Sequence, residues 1–327
     1  MKLKPGLAIA ALCLFLCSPV AAEANKEKPI IYVPVLPYEF LFERIGGDWI
    51  EVHAIVAEGG DPHQYLPSPK QLAEISKATL LFSGELPFEG NFFVKVGDGV
   101  TAPRAIDLLE GLELLEGNCS EGHDHGHEHE HEHEENHADA DGHQHADEVV
   151  EVREEDHDHH GHDHEDLMDP HVWLSPQMLL YQAQRIGPLI KEHTPEEAHD
   201  SIDANLQALE AELTSVDTEI REMLAPLKGS SFYVYHGAFA YFAAAYDLEQ
   251  KAVEIQGRRP TPKELTSLVT KAKEEGVKAV FVQPQFDQSS AVALAESIGG
   301  QVKALDPLEK NVIMNLRTIA ETIRDAN

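Results

Sequence analysis

Residues 196–224, which read EEAHDSIDANLQALEAELTSVDTEIREML, carry the strongest structural signal in the chain. Their apolar residues recur every three or four positions, which predicts one amphipathic helix of about 29 residues and roughly 43 Å. The apolar positions are Ile202, Leu206, Leu209, Leu213, Val216, Ile220 and Leu224. Such a helix is long enough to bridge two domains, and a chain of 327 residues is long enough to contain them.

Short apolar runs alternate with helical patterns on both sides of this helix, which predicts parallel sheets covered by helices. Before it, we predict strands at 30–35, 50–56 and 79–83 and helices at 38–45, 69–77 and 176–193. After it, we predict strands at 231–235, 251–255, 278–282 and 301–305 and helices at 238–246, 262–275, 289–298 and 311–324. The predicted fold class is α/β, with an amino-terminal lobe at 25–194, a linking helix at 195–226 and a carboxyl-terminal lobe at 227–327.

The first residues have the pattern of an export signal. Lys2 and Lys4 precede an apolar run of about ten residues, which is too short to span a bilayer. Small residues allow cleavage after residue 22 or 24, so we expect a signal peptide at 1–22 and a periplasmic protein. Cys17 offers lipid anchoring as an alternative. After cleavage only Cys119 remains, and one thiol cannot form an internal disulfide.

Charge is distributed unevenly. The chain has 58 acidic and 25 basic residues, a formal net charge of −33, which argues against nucleic-acid binding because phosphates would be repelled. Residues 121–166 hold 19 of the acids and 14 of the 20 histidines. A segment of this composition cannot build a core, so we expect 119–166 to form a disordered loop within the first lobe.

This His/acid-rich tract is also a candidate for secondary, weaker metal binding, because imidazoles are metal ligands and neighbouring carboxylates attract cations. Cys119 could add a thiolate at its start; a solvated charged loop is the alternative. The candidate ligands are His123, His125, His127, His129, His131, His133, His157, His159, His160, His162 and His164.

Four residues near predicted strand ends or in proline-stiffened loops are candidates for a tighter metal site. His63 and His171 each lie in an Asp-Pro-His sequence, and His236 and Asp306 directly follow predicted strands. Ligands of open parallel sheets bind beyond the carboxyl ends of the strands, and proline fixes the backbone on which an imidazole is held. Three imidazoles and a carboxylate suit Zn²⁺. For Asp306 alone, the Asp-Pro sequence equally favours a turn.

These motifs resemble the metal-specific solute-binding proteins of ABC transporters, in particular zinc receptors of the ZnuA type. The resemblance rests on GDPH at 60–63, DPHVWLSP at 169–176, YHGAF at 235–239 and LDPL at 305–308. It implies two lobes joined by a rigid helix, with the metal in the cleft between them. His63 and His171 would be the ligands of the first lobe, and His236 and Asp306 those of the second.

The resemblance also implies a function and leaves alternatives open. It implies an exported high-affinity receptor that delivers Zn²⁺ to an ABC-type membrane permease, and we expect a monomer and no enzyme activity. Manganese relatives have a carboxylate where His236 stands, so imidazole favours zinc, although a receptor for manganese or another divalent metal remains an alternative. In some zinc members water replaces the Asp306 ligand, and Gln283 occupies a position where the family usually has Glu, with no assigned effect.

Two other classes of function are alternatives to a transport receptor. The string at 127–131 matches the metalloprotease motif HExxH, but a tract with His or acid at most positions matches it by chance, and no general base accompanies the Asp-Pro-His loops. An exported metal buffer or adhesin is a further alternative.

Overall fold

The computed structural model describes residues 28–90, 92, 104–117, 168–255, 257–286 and 288–327. The predicted signal peptide, Cys17, Cys119 and the His/acid-rich tract lie outside these residues. In the part of the chain that the structure describes, no helix is both long enough and apolar enough to cross a membrane.

The first lobe is built on a four-stranded parallel sheet. Its strands β1 (Ile30–Val33), β2 (Glu51–Ala54), β3 (Leu80–Ser83) and β4 (Ile106–Asp107) lie in the order β2-β1-β3-β4. Helices α1 (Leu36–Gly46), α2 (Pro69–Ile75) and α3 (Pro176–His193) accompany this sheet. Helices α2 and α3 begin where Ser68 and Ser175 accept a backbone N–H and a proline occupies the first turn, as expected for helix N-termini. The long helix α4 (His199–Leu224), called the linking helix below, follows.

The second lobe repeats the topology of the first. Strands β5 (Ser231–Val234), β6 (Glu249–Ala252), β7 (Ala279–Val282) and β8 (Gln301–Ala304) form a parallel sheet in the order β6-β5-β7-β8. The chain between and after them forms α5 (Ala240–Ala245), α6 (Pro262–Glu274), α7 (Ser289–Ile298) and α8 (Val312–Arg324).

The linking helix has one 3-10 turn on each side, at Glu196–Ala198 and Ala225–Leu227. Of the seven apolar positions that predicted it, six are buried, and Leu206 is partly buried against the core. The helix contacts α1 and α3 of the first lobe and α8 of the second. One hydrophobic cluster runs through all three parts, from Leu41 through Leu213 to Phe242.

The fold class predicted from the sequence is confirmed, although the bounds of most elements differ from the predicted ones by a few residues. The short strand β4 was not predicted, and β6 begins at Glu249, two residues earlier than expected. Hydrogen bonds also join the lobes: the indole N–H of Trp173 donates to the carbonyl of Pro307 at 2.8 Å, and the Lys310 ammonium lies 2.6 Å from a Glu39 carboxylate oxygen. The lobes therefore share both core and polar contacts.

Candidate metal centre

Three of the four predicted ligands come together between the lobes. One ring nitrogen each of His63, His171 and His236 lies within 4.8 Å of the other two. Among the described residues, this is the group of His, Cys, Asp and Glu side chains close enough to hold a metal ion. His63 and His171 come from the first lobe and His236 from the second.

His63 is positioned by the loop that follows β2. The Asp61 carboxylate accepts the backbone N–H of His63 at 2.9 Å, and Gln64 N–H donates to the Asp61 carbonyl at 3.2 Å. This turn, with Pro62 inside it, is the local structure that an Asp-Pro-His sequence favours. It leaves the imidazole partly buried and directed at the other two histidines.

His171 is held by an Asp in the same way, and here the Asp carboxylate also contacts the imidazole ring. Asp169 Oδ1 accepts the backbone N–H of His171 at 2.9 Å and lies 2.7 Å from His171 Nδ1. Both residues are buried, with 2% of Asp169 and 7% of His171 exposed. A carboxylate at Nδ1 favours the tautomer with its proton there, which leaves Nε2 free as a metal ligand.

His236 follows β5 and is held at two points. Glu254, which follows β6, contacts His236 Nδ1, so this imidazole also has a carboxylate behind it. The side chain of Gln283, with no exposed surface, accepts the His236 backbone N–H at 3.1 Å and donates to the His236 carbonyl at 2.8 Å. A neutral amide can do both, since it carries a donor and an acceptor.

The spacing of the ring nitrogens approaches that of a metal site. His63 Nε2 and His236 Nε2 are 3.1 Å apart. A tetrahedral zinc with Zn–N bonds of about 2.0 to 2.1 Å separates its ligand atoms by roughly 3.3 Å. The Phe286 ring lies beside the cluster, with its centroid 4.7 Å from that of His236 and 5.7 Å from that of His63.

The electrostatics of the cluster favour a neutral imidazole at His63. Burial, with the nearby His236 and His171 rings, lowers the pKa of His63 to about 3. Because a protonated imidazole cannot bind a metal, a depressed pKa keeps this ligand available at mildly acidic pH.

The histidines open into a cavity of about 220 Å³. Asp169 and Glu254 line it while engaged with imidazoles, and Glu85 lines it from the end of β3. Gly117 and Met168, the described residues that border the His/acid-rich tract, line it as well. The cavity thus lies beside the two described residues that flank the tract in the sequence.

Asp306, the fourth predicted ligand, is not part of the histidine group. Its Oδ1 accepts the backbone N–H of Leu308 at 2.9 Å and the side-chain amide of Gln285 at 2.8 Å. These contacts are those of an Asp-Pro turn, the alternative that the sequence left open for this residue.

Two supporting residues of the site were not assigned from the sequence. Glu254 lies two residues beyond the end of β6, so the rule that located His236 and Asp306 could also have pointed to it, but the sequence predicts this strand to extend to residue 255. Gln283 was noted without a role, because its contact with His236 joins residues 47 positions apart.

Known proteins resemble this chain over almost its whole length. Residues 31–326 match the family model described as ZnuA, the periplasmic component A of a zinc-uptake complex. The high-affinity zinc uptake system protein ZnuA of Bacillus subtilis is 28% identical over 323 residues, covering 93% of this chain and 88% of that protein. A crystal structure of ZnuA superposes with a TM-score of 0.74 at 30% identity, covering 92% of this chain and 99% of that one. A zinc-bound ZnuA deletion mutant gives 0.73 at 31% identity, covering 92% and 98% of the two chains.

Proposed function

Because this chain belongs to the ZnuA family of zinc-uptake components, we propose that it is an exported receptor that captures Zn²⁺ between its lobes with high affinity and delivers it to an ABC-type membrane permease. The family consists of substrate-binding receptors of transporters and not of enzymes. The bound metal is therefore cargo, which the receptor must hold firmly and later release.

The observation that carries this proposal is the convergence of three imidazoles from two lobes. Three nitrogen donors suit zinc, whereas manganese prefers carboxylate and water oxygens. Carboxylates behind His171 and His236 fix the orientation of these rings. The donor set thus supports zinc over manganese as the cargo.

The fourth position of the site is open to either Asp306 or water. In this proposal water is favoured, because Asp306 lies outside the histidine group and its Oδ1 already accepts hydrogen bonds from Gln285 and Leu308. We therefore assign His63, His171 and His236 as the ligands, with Asp306 shaping the adjacent loop.

The histidines of the tract at 121–166 serve in this proposal as weaker zinc ligands that collect the ion near the cleft. Support comes from Gly117 and Met168, the described residues that flank the tract in the sequence, because both line the cavity at the histidine cluster. In this proposal the receptor acts in the periplasm as a monomer, after its signal peptide has been cleaved. Its amino-terminal lobe, linking helix and carboxyl-terminal lobe have the bounds predicted from the sequence.

Zinc competition titration with a chelator tests the function. With less than one equivalent of zinc, the ion occupies the tightest site, so His171→Ala should weaken binding by about two orders of magnitude or more by removing one of the zinc ligands. His53→Ala is the matched control, because His53 is a partly exposed histidine of β2 that pairs with Glu51. Equal affinity of His171→Ala and His53→Ala would contradict the assignment of the site.

Delivery is tested in cells of the source organism that lack this gene. Zinc accumulation under chelation should fall in these cells and recover with the unaltered chain or His53→Ala, but not with His171→Ala. Recovery with His171→Ala would show that the cleft is not required for uptake.

A further inference from the structure

The hydroxyl of Tyr241 joins the second lobe to two backbone segments of the first. Tyr241 lies on α5 and is 3% exposed. Its oxygen accepts the backbone N–H of Leu115 at 2.9 Å, and its O–H donates to the backbone carbonyl of Asp169 at 2.8 Å. One side-chain group thus holds the residues before and after the His/acid-rich tract.

These two segments also bind each other. Asp169 N–H donates to the Leu115 carbonyl at 2.8 Å, and the next residues outward, Glu116 and Met168, form an antiparallel bridge. The Tyr241 hydroxyl supplies partners for the Leu115 N–H and the Asp169 carbonyl. It therefore completes the hydrogen bonding of this short pair of segments from the opposite lobe.

The Asp169 end of this link leads directly to the metal cluster. The carboxylate of Asp169 holds both the backbone and the ring of His171. At the other end, Tyr241 stands five residues after His236, on the segment that follows β5. The hydroxyl therefore connects the backbone that carries a second-lobe histidine with the backbone that carries a first-lobe histidine.

We propose that Tyr241 is a positioning residue of the metal site, which sets the distance between His236 and His171 through its hydrogen bonds to Asp169 and Leu115. This inference rests on the proposed zinc-receptor function. A phenylalanine would fill the same volume but would leave a buried carbonyl and a backbone N–H without these partners. We therefore expect Tyr241→Phe to bind zinc more weakly but not to lose zinc binding.

The experiment compares Tyr241→Phe with Tyr38→Phe in the full chain. Tyr38 is the matched control, because it has no exposed surface and its hydroxyl accepts a hydrogen bond from Gln182 of the same lobe at 3.1 Å. Each variant receives half an equivalent of zinc, and the rate of release to excess chelator is measured. Residues that support metal ligands change affinity by about ten- to a hundredfold, so we expect Tyr241→Phe to release zinc at least about tenfold faster. The rate at which Tyr38→Phe releases zinc should stay within about twofold of the rate of the unaltered chain.

A spectroscopic readout separates positioning from general loss of stability. With half an equivalent of Co²⁺ in place of zinc, the visible absorption bands report the ligand geometry. Tyr241→Phe should change their intensity or position, whereas Tyr38→Phe should not, even where both variants melt at lower temperature. Release rates and spectra of Tyr241→Phe that match those of Tyr38→Phe would overturn the proposal.

Hydrogen exchange in the unaltered chain provides a second test that does not depend on the folding of a variant. If Tyr241 couples the metal site to the Leu115 segment, zinc loading should slow exchange of the Leu115 amide several-fold. An unchanged rate would overturn the coupling. Failure of the proposed function has a different signature, since the unaltered chain would then hold zinc no more tightly than His171→Ala.

Discussion

The amide side chain of Gln283 forms two hydrogen bonds that an ionised carboxylate could not form together. It accepts from the backbone N–H of His236 and donates to the carbonyl of the same residue. In Gln283→Glu, an ionised carboxylate would retain the first hydrogen bond but would turn an oxygen toward the His236 carbonyl. The Glu that the family usually has at this position could form both hydrogen bonds only in its protonated form. We expect zinc affinity to fall by about ten- to a hundredfold, the usual effect of altering a group that supports a metal ligand.

Gln182→Glu is the matched control for that substitution. Gln182 is 1% exposed and donates to the Tyr38 hydroxyl and the Leu108 carbonyl, each at 3.1 Å, away from the metal ligands. Both variants should lose stability in thermal unfolding, but only Gln283→Glu should lose zinc affinity in a competition titration. Similar affinities would remove the role assigned to Gln283.

The protonation of His63 predicts how the metal-free protein responds to acid. Its pKa is about 3 in the folded chain and about 6.5 when unfolded, so the unfolded chain binds the proton more readily. The neutral ring's contribution to stability is therefore fully present above about pH 6.5 and is lost as the pH falls from there toward about 3. Thermal unfolding of the zinc-free chain should show this loss of stability, and His63→Ala should make the stability depend less on pH over this range. A variant that follows the same pH dependence would contradict the assignment.

The sequence indicated the histidines that the structure brings together better than it indicated the residues that support them. The two Asp-Pro-His loops indicate His63 and His171 because an Asp carboxylate and a proline fix the local backbone, and both turns are local structures. Asp306 shows the limit of that reasoning, since an Asp that follows a strand and precedes a proline can serve its own turn. Gln283 and Tyr241 act through contacts between distant segments, and such contacts leave no local pattern.

The linking helix depends on its buried face. Leu213 is 1% exposed and belongs to the cluster that runs through both lobes. Leu213→Ala should destabilise the chain by about 2 to 5 kcal/mol, the usual cost of a buried Leu-to-Ala cavity, and should leave a single unfolding transition because the core is continuous.

Leu206→Ala on the same helix is the comparison for that variant, because Leu206 is only partly buried. Denaturant unfolding should show a smaller loss for it than for Leu213→Ala. Equal losses, or two separate transitions for the lobes, would contradict the shared core.

Elements whose apolar residues recur with a regular period were predictable from the sequence. Short strands, and strand bounds that depend on pairing with a neighbour, were not. The linking helix repeats its apolar pattern over seven positions, so its existence followed from the sequence. Strand β4 has only two residues, Ile106–Asp107, and exists because it pairs with β3. The bounds of β6 follow from its pairing with β5, in which Ser231 lies opposite Glu249.

At the scale of the whole molecule, the His/acid-rich tract should be separable from the receptor. Deleting residues 121–166 removes no residue of the described core, so the melting temperature of the zinc-free protein should change little. Calorimetry should show one tight zinc equivalent in both proteins and additional weaker ones only in the full chain. These weaker equivalents should disappear below about pH 6, where ordinary imidazoles become protonated. Equal stoichiometry in both proteins would contradict metal binding by the tract.

The two-lobe architecture was accessible from the sequence because alternating strands and helices leave few ways to build a parallel sheet. The relative placement of the lobes could be predicted only through the family resemblance. It depends on contacts such as that of Trp173 with Pro307, which no periodicity encodes.

A crystal structure of the zinc-loaded chain, with anomalous scattering recorded at the zinc absorption edge, tests the metal site itself. We predict an anomalous peak between the lobes, about 2.0 to 2.1 Å from one nitrogen each of His63, His171 and His236. A zinc-loaded crystal in which the peak lies elsewhere, or in which any of these three imidazoles does not ligate the ion, would contradict the assignment.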